Sequence, residues 1–166
     1  GCYIGSGARI IGDYGKVRIG HGTTIEENTI VHTRPGQECV IGKGVTVGHA
    51  SILHNCVVED YALIGMGSIV SDCATVGEWA AVAEGAVVVS KSNIQAHKVA
   101  AGVPAKVIKD ISKDWQDLWA MYKQELPMVA EQFISRLKEI KTSSREEITE
   151  KAKKHMRTVR KANSQR

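Results

Sequence analysis

Six histidines occur in the chain, and their spacing decides which of them could share chemistry. Counted in a six-residue frame that runs along the sequence, His32 is the second residue of the unit starting at Val31. His54 is likewise second in the unit starting at Leu53. The two lie 22 residues apart, one 18-residue coil of three hexads plus four residues taken up by the loop TRPGQECV. Equivalent places one coil apart stack two imidazoles on the same outer face, close enough for both to reach one ion at a Zn–N distance of about 2.0–2.1 Å. His49, in the preceding unit, falls on an adjacent side and faces away from that pair within one chain; in a threefold-symmetric trimer it would face the pair of a neighbour. Three neutral imidazoles with an open fourth position are the ligand set of a catalytic zinc site, at which water ionises near neutral pH. Two stacked histidines alone would equally suit an exposed polar ladder. The third, in VGHASILH, favours a shared metal site.

The elements that must hold these side chains follow from the repeat. From Val58 the chain reads VEDYAL, IGMGSI, VSDCAT, VGEWAA, VAEGAV, and upstream the same frame gives IGSGAR, IGHGTT, IEENTI, IGKGVT and VGHASI. Interruptions fall at residues 11–18 and 33–40. A period of six does not match the helical turn, and β-branched residues leading each unit predict short strands joined at corners, with one aliphatic side chain per hexad pointing inward. Three sides close a triangular coil, and stacked coils form a parallel β-helix with strands about 4.8 Å apart. Glycines serve the corners. Cys56 and Cys73 occupy similar places one coil apart in this frame.

A second regime begins near Val103. All 16 glycines lie at or before Gly102, while Trp115 and Trp119 lie after it. Ser112 is a plausible N-cap, followed by Asp114 and Asp117, whose charges suit a helix N-terminus. Trp115, Leu118, Trp119 and Tyr122 are predicted to share one face. Pro127 is predicted to kink or end that stretch, after which Val129, Phe133, Leu137 and Ile140 resume helical spacing, giving an amphipathic hairpin or bent helix. The division predicted is a β-helix over 1–108, an amphipathic helical segment over 109–140 and a basic tail over 141–166. The whole chain carries +4, but the tail alone holds nine Lys and Arg against Glu146, Glu147 and Glu150. Glutamates interspersed at helical distances read as a solvated helix or disordered end rather than a nucleic-acid surface. No apolar run approaches the ~20 residues of a membrane span, and no signal segment leads the sequence, so a cytoplasmic protein without membrane contact is expected. Four cysteines without a CxxC pair indicate neither a zinc ribbon nor a thioredoxin-type site.

The hexads resemble the bacterial transferase hexapeptide repeat. That resemblance implies a left-handed parallel β-helix that assembles as a homotrimer, a hand opposite to the usual crossover preference. The segments IVHTRPG and VTVGHASILHNCVVEDYALIGMGSIV resemble the gamma-class carbonic anhydrases and the related short-loop proteins of phenylacetate and carnitine operons. The likeness runs from about Ile10 to about Ile108. It implies that His32, His49 and His54 are the metal ligands, zinc or else iron or cobalt, with His49 donated across the trimer interface. Asp13, in IIGDYGKVRIG, matches an aspartate that orients groups near the metal, and Glu26 stands where the family has a glutamine facing the metal-bound water. Asp13 and Glu26 are thus the candidate catalytic residues. Two departures accompany the match: Ile11 replaces the arginine that pairs with that aspartate, and Glu26 places an anion beside the metal. The loop after His32 is short, with Glu38 as its carboxylate. Relatives also carry additional N-terminal coils, so the resemblance leaves open a fragment or a trimmed chain.

Three functions are open to such a chain. The first is reversible hydration of CO2 to bicarbonate. The second is chemistry on acyl-CoA, as an acyltransferase or a thioesterase; acyltransferases of this fold rely on one histidine base, so three converging histidines argue against that branch. The third is a non-catalytic trimeric scaffold. His21, under Lys43, reads as a surface residue, and His97 and His155 lie in the exit segment and the tail, away from the constellation.

Overall fold

The computed structural model describes residues 1–136, 149–150 and 153–154. Short strands recur in strict rotation over three faces. The first face holds Tyr3–Ile4, Thr24–Ile25, Thr46–Val47, Leu63–Ile64, Ala81–Val82 and Lys98–Ala101. The second holds Arg9–Ile11, Ile30–His32, Ile52–His54, Ile69–Val70 and Val87–Val88. The third holds Lys16–Ile19, Glu38–Ile41, Val57–Val58, Thr75–Val76 and Asn93–Ile94. Every pairing between these strands is parallel and joins one coil to the next, so the chain is a parallel β-solenoid of about five turns, as the repeat predicts.

From the second coil on, one aliphatic residue per strand fills the interior. Ile25, Val47, Ile64, Val82 and Ala100 form one ladder, Val31, Leu53, Val70 and Val88 a second, and Ile41, Val58, Val76 and Ile94 a third; each is at most 4% exposed. Burying an aliphatic side chain of this size contributes roughly 1.5–3 kcal/mol, so the ladders are the main source of stability. Buried hydroxyls bind one coil to the next: Thr29 donates to the Gly48 carbonyl at 3.1 Å and Ser51 to that of Gly65 at 2.9 Å.

Corners, more than strands, differ from the sequence expectation. Left-handed backbone occurs at glycines but also at Asn28, Ala50, Asn55, Tyr61, Cys73, Trp79, Lys91 and His97. The coil lattice holds these residues where isolated turns would demand glycine, because each corner amide donates to a carbonyl of the coil before it. Gly15 is a place where only glycine fits: an added Cβ would lie 2.4 Å from the Arg34 carbonyl oxygen. The long corners at residues 12–15 and 33–37 therefore stack tightly, with Gly36 N donating to Tyr14 O and Lys16 N to Gln37 O, both at 2.9 Å.

The cysteine register needs correction. The coil step is 17 residues from Ile52 to Ile69 but 18 from Val57 to Thr75, so the corner between them gains a residue. Cys73 lands on that corner, exposed, while Cys56 is buried with its Sγ 3.9 Å from that of Cys39. Contact with Cys39 and burial push the Cys56 thiol up, leaving it unreactive.

The solenoid ends in an antiparallel pairing of Lys98–Ala101 with Lys106–Asp110, followed by a helix over Lys113–Arg136. Ser112 caps it, its Oγ accepting from Trp115 N at 3.2 Å. The structure refines two expectations here. The helix runs on past Pro127, whose missing N–H costs one backbone bond without requiring the chain to reverse. Its more buried side carries Trp115, Gln116, Trp119, Ala120 and Lys123, whereas Leu118 and Tyr122 are 51% and 50% exposed. Trp115 stacks on Trp119 with centroids 5.7 Å apart. Lys123 Nζ donates to the carbonyls of Gly44 (2.6 Å) and Ala62 (3.4 Å) and to Thr46 Oγ1 (3.2 Å), and burial pushes its pKa down to about 7. The side chains of Val129 and Phe133, the residues Leu137 and Ile140, and nearly all of the basic tail lie outside the described residues; where the chain is next described, Lys153 pairs with Glu150 at 2.9 Å.

Candidate functional site

The second face turns Val31 and Leu53 inward, and alternation along a strand sends the next residue of each outward. Ile11, His32 and His54 are thereby Cα partners in one outer column. The rings of His32 and His54 lie 5.2 Å apart, tilted by 56°. Each is anchored at one nitrogen by a carboxylate. Asp13, on the corner at residues 12–15, places Oδ1 3.2 Å from His32 Nε2 and accepts from Tyr14 N at 3.0 Å. Asp72, one coil beyond His54, places Oδ1 2.9 Å from His54 Nδ1. Arg34 donates to both Asp72 oxygens, at 2.6 and 2.9 Å, and that bidentate pairing holds the Asp72 carboxyl below the usual carboxylate range.

His49 sits at the corner between the first and second faces with carboxylates of its own. Its Nε2 is 3.2 Å from Glu26 Oε2, its backbone N donates to the same oxygen at 3.1 Å, and its Nδ1 is 2.8 Å from Glu27 Oε2. Glu27 also accepts from the Tyr3 hydroxyl at 2.7 Å, which lowers the Glu27 pKa and raises that of Tyr3.

The structure thus brings Asp13 to the His32 and His54 pair and brings Glu26 to His49. Among the described residues no three His, Cys, Asp or Glu side chains converge as a metal-holding group within one chain. Asp72, Arg34, Glu27 and Tyr3 escaped the sequence reading. Asp72 had a signal, lying 18 residues after His54; Arg34 had none, because the loop that carries it breaks the frame. Glu38 meets Arg18 at 3.0 Å, His21 is exposed, His97 contacts Gln116 of the helix, and His155 lies outside the described residues.

The donor chemistry of the pair suits a transition metal. With His32 anchored through Nε2 and His54 through Nδ1, His32 Nδ1 and His54 Nε2 are left for an electrophile, and a carboxylate behind each ring is the usual support of a ligating imidazole.

A fold of stacked hexads with paired outward histidines defines a hexapeptide-repeat protein, and comparison with known proteins agrees. A family profile described as GMPPB C-terminal domain matches residues 2–117. The carnitine operon protein CaiE of Escherichia coli is 32% identical over 129 residues, covering 76% of this chain and 66% of that protein. Gamma carbonic anhydrase 2, mitochondrial, of Arabidopsis thaliana is 35% identical over 120 residues, covering 69% and 43%. A crystal structure of a hexapeptide transferase family protein from Anaplasma phagocytophilum superposes with a TM-score of 0.75 at 32% identity, covering 80% of this chain and 78% of that one. The chain belongs to the family of that profile and is a gamma-carbonic-anhydrase-like hexapeptide-repeat protein. It spans just under two thirds of the length of the carnitine operon protein and less than half of the plant one.

Proposed function

We propose that this chain is a metal-dependent enzyme of the gamma carbonic anhydrase type, catalysing reversible hydration of CO2 at sites shared between the subunits of a homotrimer. The observation that carries this reading is the in-register pair of His32 and His54, each backed by a carboxylate on one nitrogen only. His32 and His54 of one subunit with His49 of the next would hold zinc, iron or cobalt. When bound, such an ion supplies the Lewis acidity that makes water a nucleophile at neutral pH.

The chain's own residues do the rest. Asp13 fixes the His32 ring, and Glu26 fixes His49 through both its backbone N and its imidazole. Because Glu26 travels with His49, it arrives at the neighbour's pair with its carboxylate, there to move a proton between the site and solvent. The four cysteines are free thiols, in keeping with a reducing, cytoplasmic setting.

An acyl-CoA reaction is the second reading. It is favoured by the likeness to a hexapeptide transferase family protein, and loss of activity, leaving a scaffold, would follow if Ile11 and Glu26 disable the site. The deciding measurement is metal content per chain after metal-replete expression, in the parent and in His49→Ala. About one ion per chain, lost in the variant, supports the shared site and sends the protein to CO2-hydration and thioester-hydrolysis assays. A metal-free parent refutes the hydratase and leaves the acyltransferase or the scaffold.

A further inference from the structure

We propose that Asp72, clamped by Arg34, is a positioning residue that holds His54 in the tautomer protonated at Nδ1, so that Nε2 keeps the ring's free lone pair. The functional weight of this inference rests on the metal reading above; the tautomer itself does not.

An ionised carboxylate only accepts hydrogen bonds, so a neutral imidazole nitrogen facing it at 2.9 Å must be the one that carries the proton. Whether that carboxylate stays put depends on what holds it. Asp72 receives both arms of the Arg34 guanidinium, Nε on Oδ1 and the terminal nitrogen on Oδ2, and a planar fork on a planar carboxylate fixes its orientation as well as its charge. The clamp spans two coils: Arg34 stands on the long corner after His32, and Asp72 on the corner beyond His54. The same face thus regains a guanidinium although Ile11 occupies the foot of the histidine column.

His32 provides an internal reference. Its Nε2, not its Nδ1, faces Asp13, so the same argument gives it the opposite tautomer. Two stacked histidines set to opposite tautomers by two different carboxylates form a pattern that no common feature of the surroundings would produce.

The test is the histidine side-chain 15N–1H correlation spectrum of the full chain, freed of metal with a chelator and held well above the ordinary histidine pKa so that the rings are neutral. His54 is expected to show a protonated, pyrrole-type Nδ1 and a pyridine-type Nε2, and His32 the reverse. In Asp72→Asn, His54 shifts toward the Nε2-protonated form while His32 is unchanged. Arg34→Gln moves His54 part of the way, and Arg34→Lys moves it less. Zinc affinity of Asp72→Asn falls about 10–100-fold, the usual effect of losing a carboxylate behind a ligating histidine. A parent spectrum with the His54 proton on Nε2 overturns the proposal without any variant having to fold, as does an Asp72→Asn spectrum identical to the parent's. A parent that shows the expected tautomers yet retains no zinc bears out the positioning role and refutes the metal reading instead.

Discussion

Ile11 is the single-residue departure at which the proposed activity can be tested. It is the Cα partner of His32 at the foot of the outward histidine column, beside the corner that carries Asp13. An aliphatic group there offers neither charge nor hydrogen bond to that carboxylate. Ile11→Arg would place a guanidinium within reach of Asp13 and of an anion leaving the site. The expected outcome is an increase in CO2-hydration rate of about tenfold or more, in line with the roughly 1.5–3 kcal/mol of a charge-assisted hydrogen bond. Stopped-flow assay of the parent and variant checks it, and equal rates would make the Ile11 departure irrelevant.

The C-terminal helix is held by features of a different kind. Lys123 is buried against Gly44, Thr46 and Ala62 with acceptors but, among the described residues, no carboxylate paired with its amine, and its pKa falls to about 7 from an ordinary 10.5. Below about pH 7 the amine is charged whether the helix is docked or free, so its docking gains nothing from pH. Between 7 and 10.5 the free helix binds a proton that the docked one does not, so docking strengthens as pH rises. Urea titrations followed by tryptophan fluorescence, which reports Trp115 and Trp119 of the helix together with Trp79 of the solenoid, are expected to show stability rising from pH 6.5 to 9. Lys123→Met should flatten that rise. A falling curve in the parent would mean that the three acceptors, and not burial, govern the amine.

At the scale of the whole molecule, the proposed site would divide its ligands between two groups, which would make assembly part of the chemistry. His49, with Glu26 and Glu27, is one group, and His32 with His54, Asp13 and Asp72 is the other. His49→Ala keeps the pair intact, and His54→Ala keeps His49 intact. If the sites are shared, each variant alone retains no metal. Trimers reassembled from an equal mixture regain about a quarter of the sites, those at which an intact pair meets an intact His49. Metal analysis of the mixture reads this directly. No recovery in mixed trimers would show that the two groups do not meet across an interface. His54→Ala should remain folded, because Leu53 and not His54 fills the interior.

The period of six determined the solenoid without help from tertiary contacts. Inward and outward positions recur locally along the strand, so Val31 and Leu53 fall to the core and His32 and His54 to one outer column by counting alone. Counting also placed His49 off that column and Ser112 at the helix start. What it could not determine was anything that depends on the length of a corner. One added residue between Ile69 and Thr75 sends Cys73 out to a corner and leaves Cys56 facing Cys39. The loops at residues 12–15 and 33–37 lie outside the frame, yet their stacking brings Asp13 to His32 and Arg34 to Asp72, 38 residues away. The helix likewise chose its buried side by which residues fit the solenoid, taking Lys123 inward and leaving Leu118 and Tyr122 in solvent. Periodicity is a local property and survives in the sequence; the path of an irregular corner and the docking of a helix are settled by non-local packing, and only the folded chain carries them.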